Sequence, residues 1–327
     1  MSTPNRSKKN PSKSKNKGLH PRNLHREGYD FPSLVKSSPL LTPYVKENSH
    51  GELSIEFADP LAVKALNTSL LKHYYGISEW SIPDGALCPA IPGRADYIHY
   101  IAELLGIAEP TTSRPNTQAK IALLDIGTGA NGVYPLLACQ IYGWKCVGSD
   151  INSESLENVA SIIAQNPKLK DCFTLRKQHD KNHIFDGIIQ SGEFFDISIC
   201  NPPFHASQED ALKGNLRKLN KLARNRGEQT RTQLNKKSSH QIAPALNFGG
   251  QEAELWCKGG ERMFLKKLIK ESQLFSGQCR WFSSLVSKID NVAPAKKLIR
   301  KLGAVDVREI EMKQGNKMTR ILAWTFI

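Results

Sequence analysis

A chain of 327 residues with 39% hydrophobic and 23% charged residues has the composition of a folded protein and the length of one large domain with additions. No apolar run approaches the roughly 20 residues that cross a bilayer, and the Lys/Ser/Asn-rich start lacks a signal peptide's apolar centre, so neither a membrane-spanning nor a secreted protein is expected. The net charge of +14 is unevenly placed: residues 1–26 carry eight Lys or Arg and no acid, residues 213–237 carry nine with only Glu228, and the remainder sums to about −2. Basic tails also serve solubility. Two dense cationic stretches on a nearly neutral body nevertheless fit a polyanion, because each cation that meets a phosphate releases counterions. Seven scattered cysteines without CxxC spacing argue against a zinc site or a disulfide framework and for a reducing, cytoplasmic setting.

In chain order, residues 1–28 are almost free of apolar side chains and predict a disordered basic arm. Residues 29–118 form an N-terminal region with one helix after Asp59-Pro60, carried by Leu61, Val63, Leu66, Leu70 and Leu71. A Pro-rich passage (82–93), an amphipathic run at Tyr97–Gly106 and a linker-like stretch over 108–118 follow. From residue 119 to 327 the pattern becomes strand–helix alternation. Strands are expected at Ile121–Ile126, Lys145–Ser149, Phe173–Lys177, Phe195–Cys200 and Arg280–Val286. Helices are expected at Val133–Tyr142, Ser153–Gln165 (capped by Asn152 or Ser153), Glu261–Leu274 and Pro294–Leu302. A terminal hairpin, Val305–Met312 with Arg320–Ile327, closes the chain around Gln314-Gly315-Asn316. Such repetition specifies an α/β fold with a mostly parallel, doubly wound sheet and an antiparallel C-terminal edge. A basic insertion occupies about 205–260.

Two motifs carry chemistry. Asp125-Ile126-Gly127-Thr128-Gly129-Ala130-Asn131-Gly132 leaves the first strand and enters a helix. Its glycines allow a tight turn that brings backbone amides against a nucleotide. By glycine spacing alone it is also a nicotinamide-cofactor fingerprint. Asp125 discriminates, because a carboxylate there suits a cofactor with a cationic amino-acid portion and repels a pyrophosphate. Asp150, ending the second strand, is placed to accept ribose hydroxyls; the alternative is that both aspartates only cap helices. The fourth strand runs into Asn201-Pro202-Pro203-Phe204, at the carboxyl end of a parallel strand, where ligands bind. The Asn201 amide oxygen and the Pro202 carbonyl can each accept a hydrogen bond from an sp2 amine. Phe204 offers a face for a planar base. A proline-stiffened turn over a buried Phe is the plain structural explanation. His179 and His183 have metal-like spacing, but no partner Cys or acid cluster completes a site, so a surface loop is expected. His205 lies beside the tetrapeptide, where it faces either substrate or solvent.

Asp-x-Gly-x-Gly followed by NPPF resembles the Rossmann-type amino-methyltransferases, which use S-adenosylmethionine on adenine N6, cytosine N4 or protein glutamine. Longer segments narrow this: Cys88–Ile98, Tyr134–Leu137, Leu246–Gly250, Trp281–Val286 and Ala323–Phe326 resemble the ribosomal RNA large subunit methyltransferase F family, related to the METTL16-type RNA adenine methyltransferases. The resemblance runs from about residue 20 to the C-terminus. It implies a Rossmann-like class I fold of seven strands and S-adenosylmethionine as cofactor. It also implies N6-methylation of an adenine in 23S rRNA, free or in a large-subunit assembly intermediate, without a metal. The expected cofactor residues are Arg94, Asp125, Gly127, Thr128, Gly129, Asp150 and Asn201, with Asn201, Pro202, Pro203 and Phe204 at the reacting base. A silent RNA-binding assembly factor, a DNA adenine methyltransferase and a protein-glutamine methyltransferase are the alternatives.

Overall fold

The structure, a computed structural model, describes residues 18–107, 121–203, 259–314 and 317–327. The arm before Gly18, the linker over 108–118, Phe204, His205, the 213–237 stretch, Leu246–Gly250 and the Gly315-Asn316 turn lie outside the described residues.

Strands β3 (Ala122–Ile126), β4 (Lys145–Asp150), β5 (Phe173–Lys177), β6 (Phe195–Cys200) and β7 (Cys279–Val286) are mutually parallel where they pair. The last two, β8 (Asp306–Gln314) and β9 (Lys317–Thr325), form an antiparallel hairpin. The order is β5-β4-β3-β6-β7-β9-β8, so β9 is inserted between β7 and β8. This is the Rossmann-like seven-stranded sheet, with its order reversing between β3 and β6. Alternating side chains send Leu123 and Ile199 into one core and Leu124, Ile126 and Cys200 into another, so both faces are covered. On the first face pack α2 (Pro60–Tyr75), α3 (Ile91–Leu104), α4 (Val133–Tyr142) and α5 (Ser153–Gln165); on the second pack α6 (Gly260–Ser272) and α7 (Val292–Lys301). Asn152 is the cap of α5, its side chain accepting from the Ser155 amide at 3.1 Å. Six cysteines are free among the described residues, and no helix there is long and apolar enough to cross a membrane.

Three features depart from the sequence reading. α3 begins at Ile91 rather than Tyr97, because Pro92 sits in the first turn, where proline is tolerated. A short helix α1 (Phe31–Ser37), a 3-10 turn over Pro39–Tyr44 and a small hairpin of β1 (Val45–Glu47) and β2 (Leu53–Ile55) precede α2. Each is too short to show a period. More importantly, residues 18–28 are packed, which corrects the expected arm boundary at residue 28. Leu19, His20, Asn23 and His25 are buried. What orders them is polar contact with α3 rather than apolar area. The His20 amide donates to Asp96 Oδ1 at 3.0 Å, and Asn23 Nδ2 donates to the Pro92 carbonyl at 2.7 Å and to Asp96. Arg22 donates to the Ile107 and His99 carbonyls at 2.8 and 3.0 Å. Burial pushes Asp96 up to about 6.

Candidate active site at the β3–β6 crevice

The loop after β3 turns on glycines with positive φ, Gly127 at 73° and Gly129 at 62°, where a side chain would be strained. The Gly127 and Thr128 amides both donate to the Ser149 carbonyl at 2.9 Å, tying the loop to β4. Asp150 joins the same turn: its Oδ2 accepts from the Gly129 amide and its Oδ1 from the Asn152 amide, each at 2.9 Å. Its neighbour Ile151 is an exposed apolar side chain at the rim, suited to lie against a flat ring. Sequence reasoning passed over Ile151, although an apolar residue directly after a strand-ending acid was a usable signal.

Asp125 is fully buried, and neither of its oxygens has a hydrogen-bond partner among the described residues; the same holds for the Thr128 hydroxyl. Burial pushes its carboxyl up to about 7, with the charge of Asp150 adding to the rise, while nearby Thr128 and Arg94 pull the other way. Arg94, in the first turn of α3, donates to the Tyr134 hydroxyl at 2.7 Å, and its guanidinium carbon lies 5.4 Å from the centre of that ring. Burial pushes the Tyr134 phenol up to about 12. The result is an arginine close to a buried acid that has no hydrogen-bond partner among the described residues, next to a glycine loop whose amides are tied to β4. A buried polar group without a partner is uncommon and points to a missing ligand.

Across the crevice, Cys200 pairs in register with Ile126, which sets Asn201 level with Gly127. The Asn201 side-chain oxygen is buried and also has no partner among the described residues. Pro202 is buried and Pro203 half-buried. A buried relay fixes this strand against α3: the Tyr97 and Ser283 hydroxyls meet at 2.9 Å, and Ser283 donates to the Ser198 carbonyl at 2.9 Å. One helix therefore carries both Arg94 and the brace for the strand that presents Asn201.

The sequence did not reveal what holds the loop's far side. Trp80 Nε1 donates to the Asn131 carbonyl at 3.1 Å, and Asn158 Nδ2 donates to the Ser81 and Ala130 carbonyls at 3.0 and 2.7 Å. These links join segments 51 and 77 residues apart, a separation no local period reports. His183 lies exposed on a loop, as expected. Asp180, Asp186 and Glu271 oxygens stand 3.6–3.9 Å from its ring nitrogens, so acids do surround it. The Glu271 carboxylate, however, is taken up by the backbone amides of Ile184, Phe185 and Asp186. Among the described residues no group of three metal-ligating side chains is arranged to hold an ion.

Arg94, Asp125, Gly127, Thr128, Gly129, Asp150, Asn201 and Pro202 thus converge on one crevice. A sheet of this order, with a glycine loop on one side of its switch point and NPP on the other, defines the Rossmann-like S-adenosylmethionine methyltransferase class. The family model described as "RNA methyltransferase" matches residues 13–327. The ribosomal RNA large subunit methyltransferase F of Saccharophagus degradans is 59% identical over 319 residues, covering 96% of this chain and 97% of the relative. The chain belongs to this family of RNA methyltransferases. Among solved structures, the hMettl16 catalytic domain in complex with MAT2A 3'UTR hairpin 1 superimposes with a TM-score of 0.73 at 29% identity, covering 94% of this chain and 96% of that one. The N-terminal domain of human METTL16 in complex with SAH gives 0.71 at 27% identity, covering 94% and 99%.

Proposed function

We propose that this chain transfers a methyl group from S-adenosylmethionine to the N6 amine of an adenine in large-subunit (23S) ribosomal RNA. The observation that carries the reading is Asn201: a buried amide oxygen without a partner among the described residues, on a proline-stiffened turn, across the sheet's switch point from the glycine loop and the buried Asp125. The identity with ribosomal RNA large subunit methyltransferase F supports the substrate, as does the RNA hairpin named in the structural neighbour.

The residues fit the cofactor. Gly127, Thr128 and Gly129 present the turn, Asp150 stands where ribose hydroxyls need an acceptor, and Arg94 and Asp125 offer opposite charges to a zwitterionic amino-acid end. Bound there, the cofactor supplies an electrophilic methyl on sulfonium. The chain's own part is orientation. Asn201 Oδ1 and the Pro202 carbonyl accept the two amine hydrogens, which aims the nitrogen lone pair and favours the positive charge it develops. The base has to leave its stack to reach this depth, and Phe204 is the surface proposed to receive it. The proton departs after transfer, when the nitrogen has become acidic, so no general base and no metal are required. In this reading residues 29–118, together with the packed 18–28 segment, cover the site, and 119–327 form the methyltransferase domain. The free cysteines among the described residues suit a reducing cytoplasm.

The test is methyl transfer from labelled S-adenosylmethionine to unmodified 23S rRNA, with duplex DNA and total protein as competing acceptors and nucleoside analysis of the product. N6-methyladenosine in the RNA is expected. Label in DNA or protein, or RNA binding without transfer, would replace this reading with a DNA methyltransferase, a glutamine methyltransferase or an assembly factor respectively.

A further inference from the structure

The charges on the second face of the sheet are sorted. On α6 the exposed cations Arg262, Lys266 and Lys270 recur every fourth residue, and a rise of about 1.5 Å per residue sets successive members about 6 Å apart along one line. On α7 the exposed Lys297, Arg300 and Lys301 continue the pattern. Neither helix shows an exposed acid. The two acids α6 does contain are buried and spent on backbone and loop groups. Glu261 accepts from the Ser287 and Lys288 amides at 2.9 and 3.2 Å and from Asn291 Nδ2 at 2.7 Å. Glu271 accepts from three consecutive amides, Ile184 to Asp186. In the opposite layer α5 bears Glu154 and Glu157 and no cation, while α2 exposes Lys72.

α6 and α7 both begin on the side of the sheet where the strands end at the crevice, and both run away from it. We propose that the α6–α7 flank is a docking surface for the phosphate backbone of structured RNA, engaging a part of the substrate away from the adenine in the crevice. This rests on the RNA-substrate reading above and extends it. Asp290, exposed just before α7, and Asp180 and Asp186 beside the far part of α6 limit the cationic field at its ends. The contact therefore runs along the two helices.

The experiment is filter binding of transcribed 23S rRNA across a salt series, comparing the unmodified chain with two triple variants. Arg262→Ala/Lys266→Ala/Lys270→Ala removes the stripe; Lys36→Ala/Lys168→Ala/Lys170→Ala removes three exposed cations elsewhere. Each lost phosphate contact lowers the log–log salt slope by about 0.9 on a duplex, so the stripe variant should be shallower by about two to three, and the control unchanged. An adenine-containing single-stranded hexamer should bind all three proteins alike, and matching melting curves show that the variants are folded. Equal slopes for the two triple variants would overturn the proposal. Because binding is read without turnover, the comparison stands even if the unmodified chain methylates no RNA, a result that would sink the functional reading instead.

Discussion

Three buried carboxylates, Glu261, Glu271 and Asp125, with the half-buried Asp150, separate the molecule into two regions. On α6, Glu261 and Glu271 are surrounded by donors, and every amide they collect belongs to a loop that would otherwise be loose. At the ends of β3 and β4 the economy is reversed. Asp150 is partly satisfied by two amides, and Asp125, deeper still, has no partner among the described residues. The same functional group at similar burial is structural in one place and held in reserve in the other. Desolvating a charge is costly, and at Asp125 nearby Thr128 and Arg94 offset only part of that cost, since its carboxyl stays raised to about 7.

The largest effect tests the reserve directly. Asn201→Ala should lower kcat by about 10²–10³-fold, the range seen when one preorganised transition-state partner is removed, with rRNA affinity nearly unchanged; single-turnover methylation and filter binding read the two quantities. Loss of binding with normal turnover would contradict the role given to Asn201. Glu271→Ala should reduce stability by about 3 kcal/mol, since it strands the Ile184 and Phe185 amides in the interior. Thermal melting would show it, and an unchanged midpoint would mean that water replaces the carboxylate.

Asp125→Asn should behave in the opposite sense. The folded carboxyl titrates near 7, well above its unfolded value, so the unfolded chain gives up this proton first. Its contribution is intact at acid pH and is lost as pH rises through about 7. The amide should therefore flatten the fall in stability over that interval and cost nothing above it, while weakening cofactor binding. In the unmodified chain, affinity for the cationic cofactor should strengthen as pH rises through the same range, which calorimetry in buffers of different ionisation heat would detect as proton release. Tyr97→Phe is the mildest change. Loss of one buried hydroxyl contact costs about 1 kcal/mol, and a rise in KM for S-adenosylmethionine together with a fall in kcat would show that the brace couples Arg94 to Asn201.

The two regions also differed in how legible they were. Buried parallel strands read as apolar runs, and positive-φ glycines after a strand left a clear mark, so β3 to β7, the cofactor loop and NPP stood out in sequence. Most element ends moved only slightly, as with α7, which begins at Val292 rather than Pro294, but α3 begins at Ile91 inside the Pro-rich passage and not at Tyr97. What escaped was polar and long-range. Residues 18–28 look solvated because their order comes from Arg22, Asn23 and His20 reaching carbonyls and a carboxylate on α3. The Trp80 and Asn158 links are similar, single donors crossing many residues of chain. That Asp125 and Asn201 lack partners among the described residues is invisible in sequence, because it depends on how distant segments pack.

The position of β9 makes the sheet depend on one strand from both sides. It lies between β7 and β8, with Ile321 to Trp324 wholly enclosed. Without it β7 keeps a bare edge and β8 has nothing to join, and open edges of that kind invite pairing with other chains. A chain cut before Lys317 is accordingly no smaller copy of the fold but an unfinished sheet.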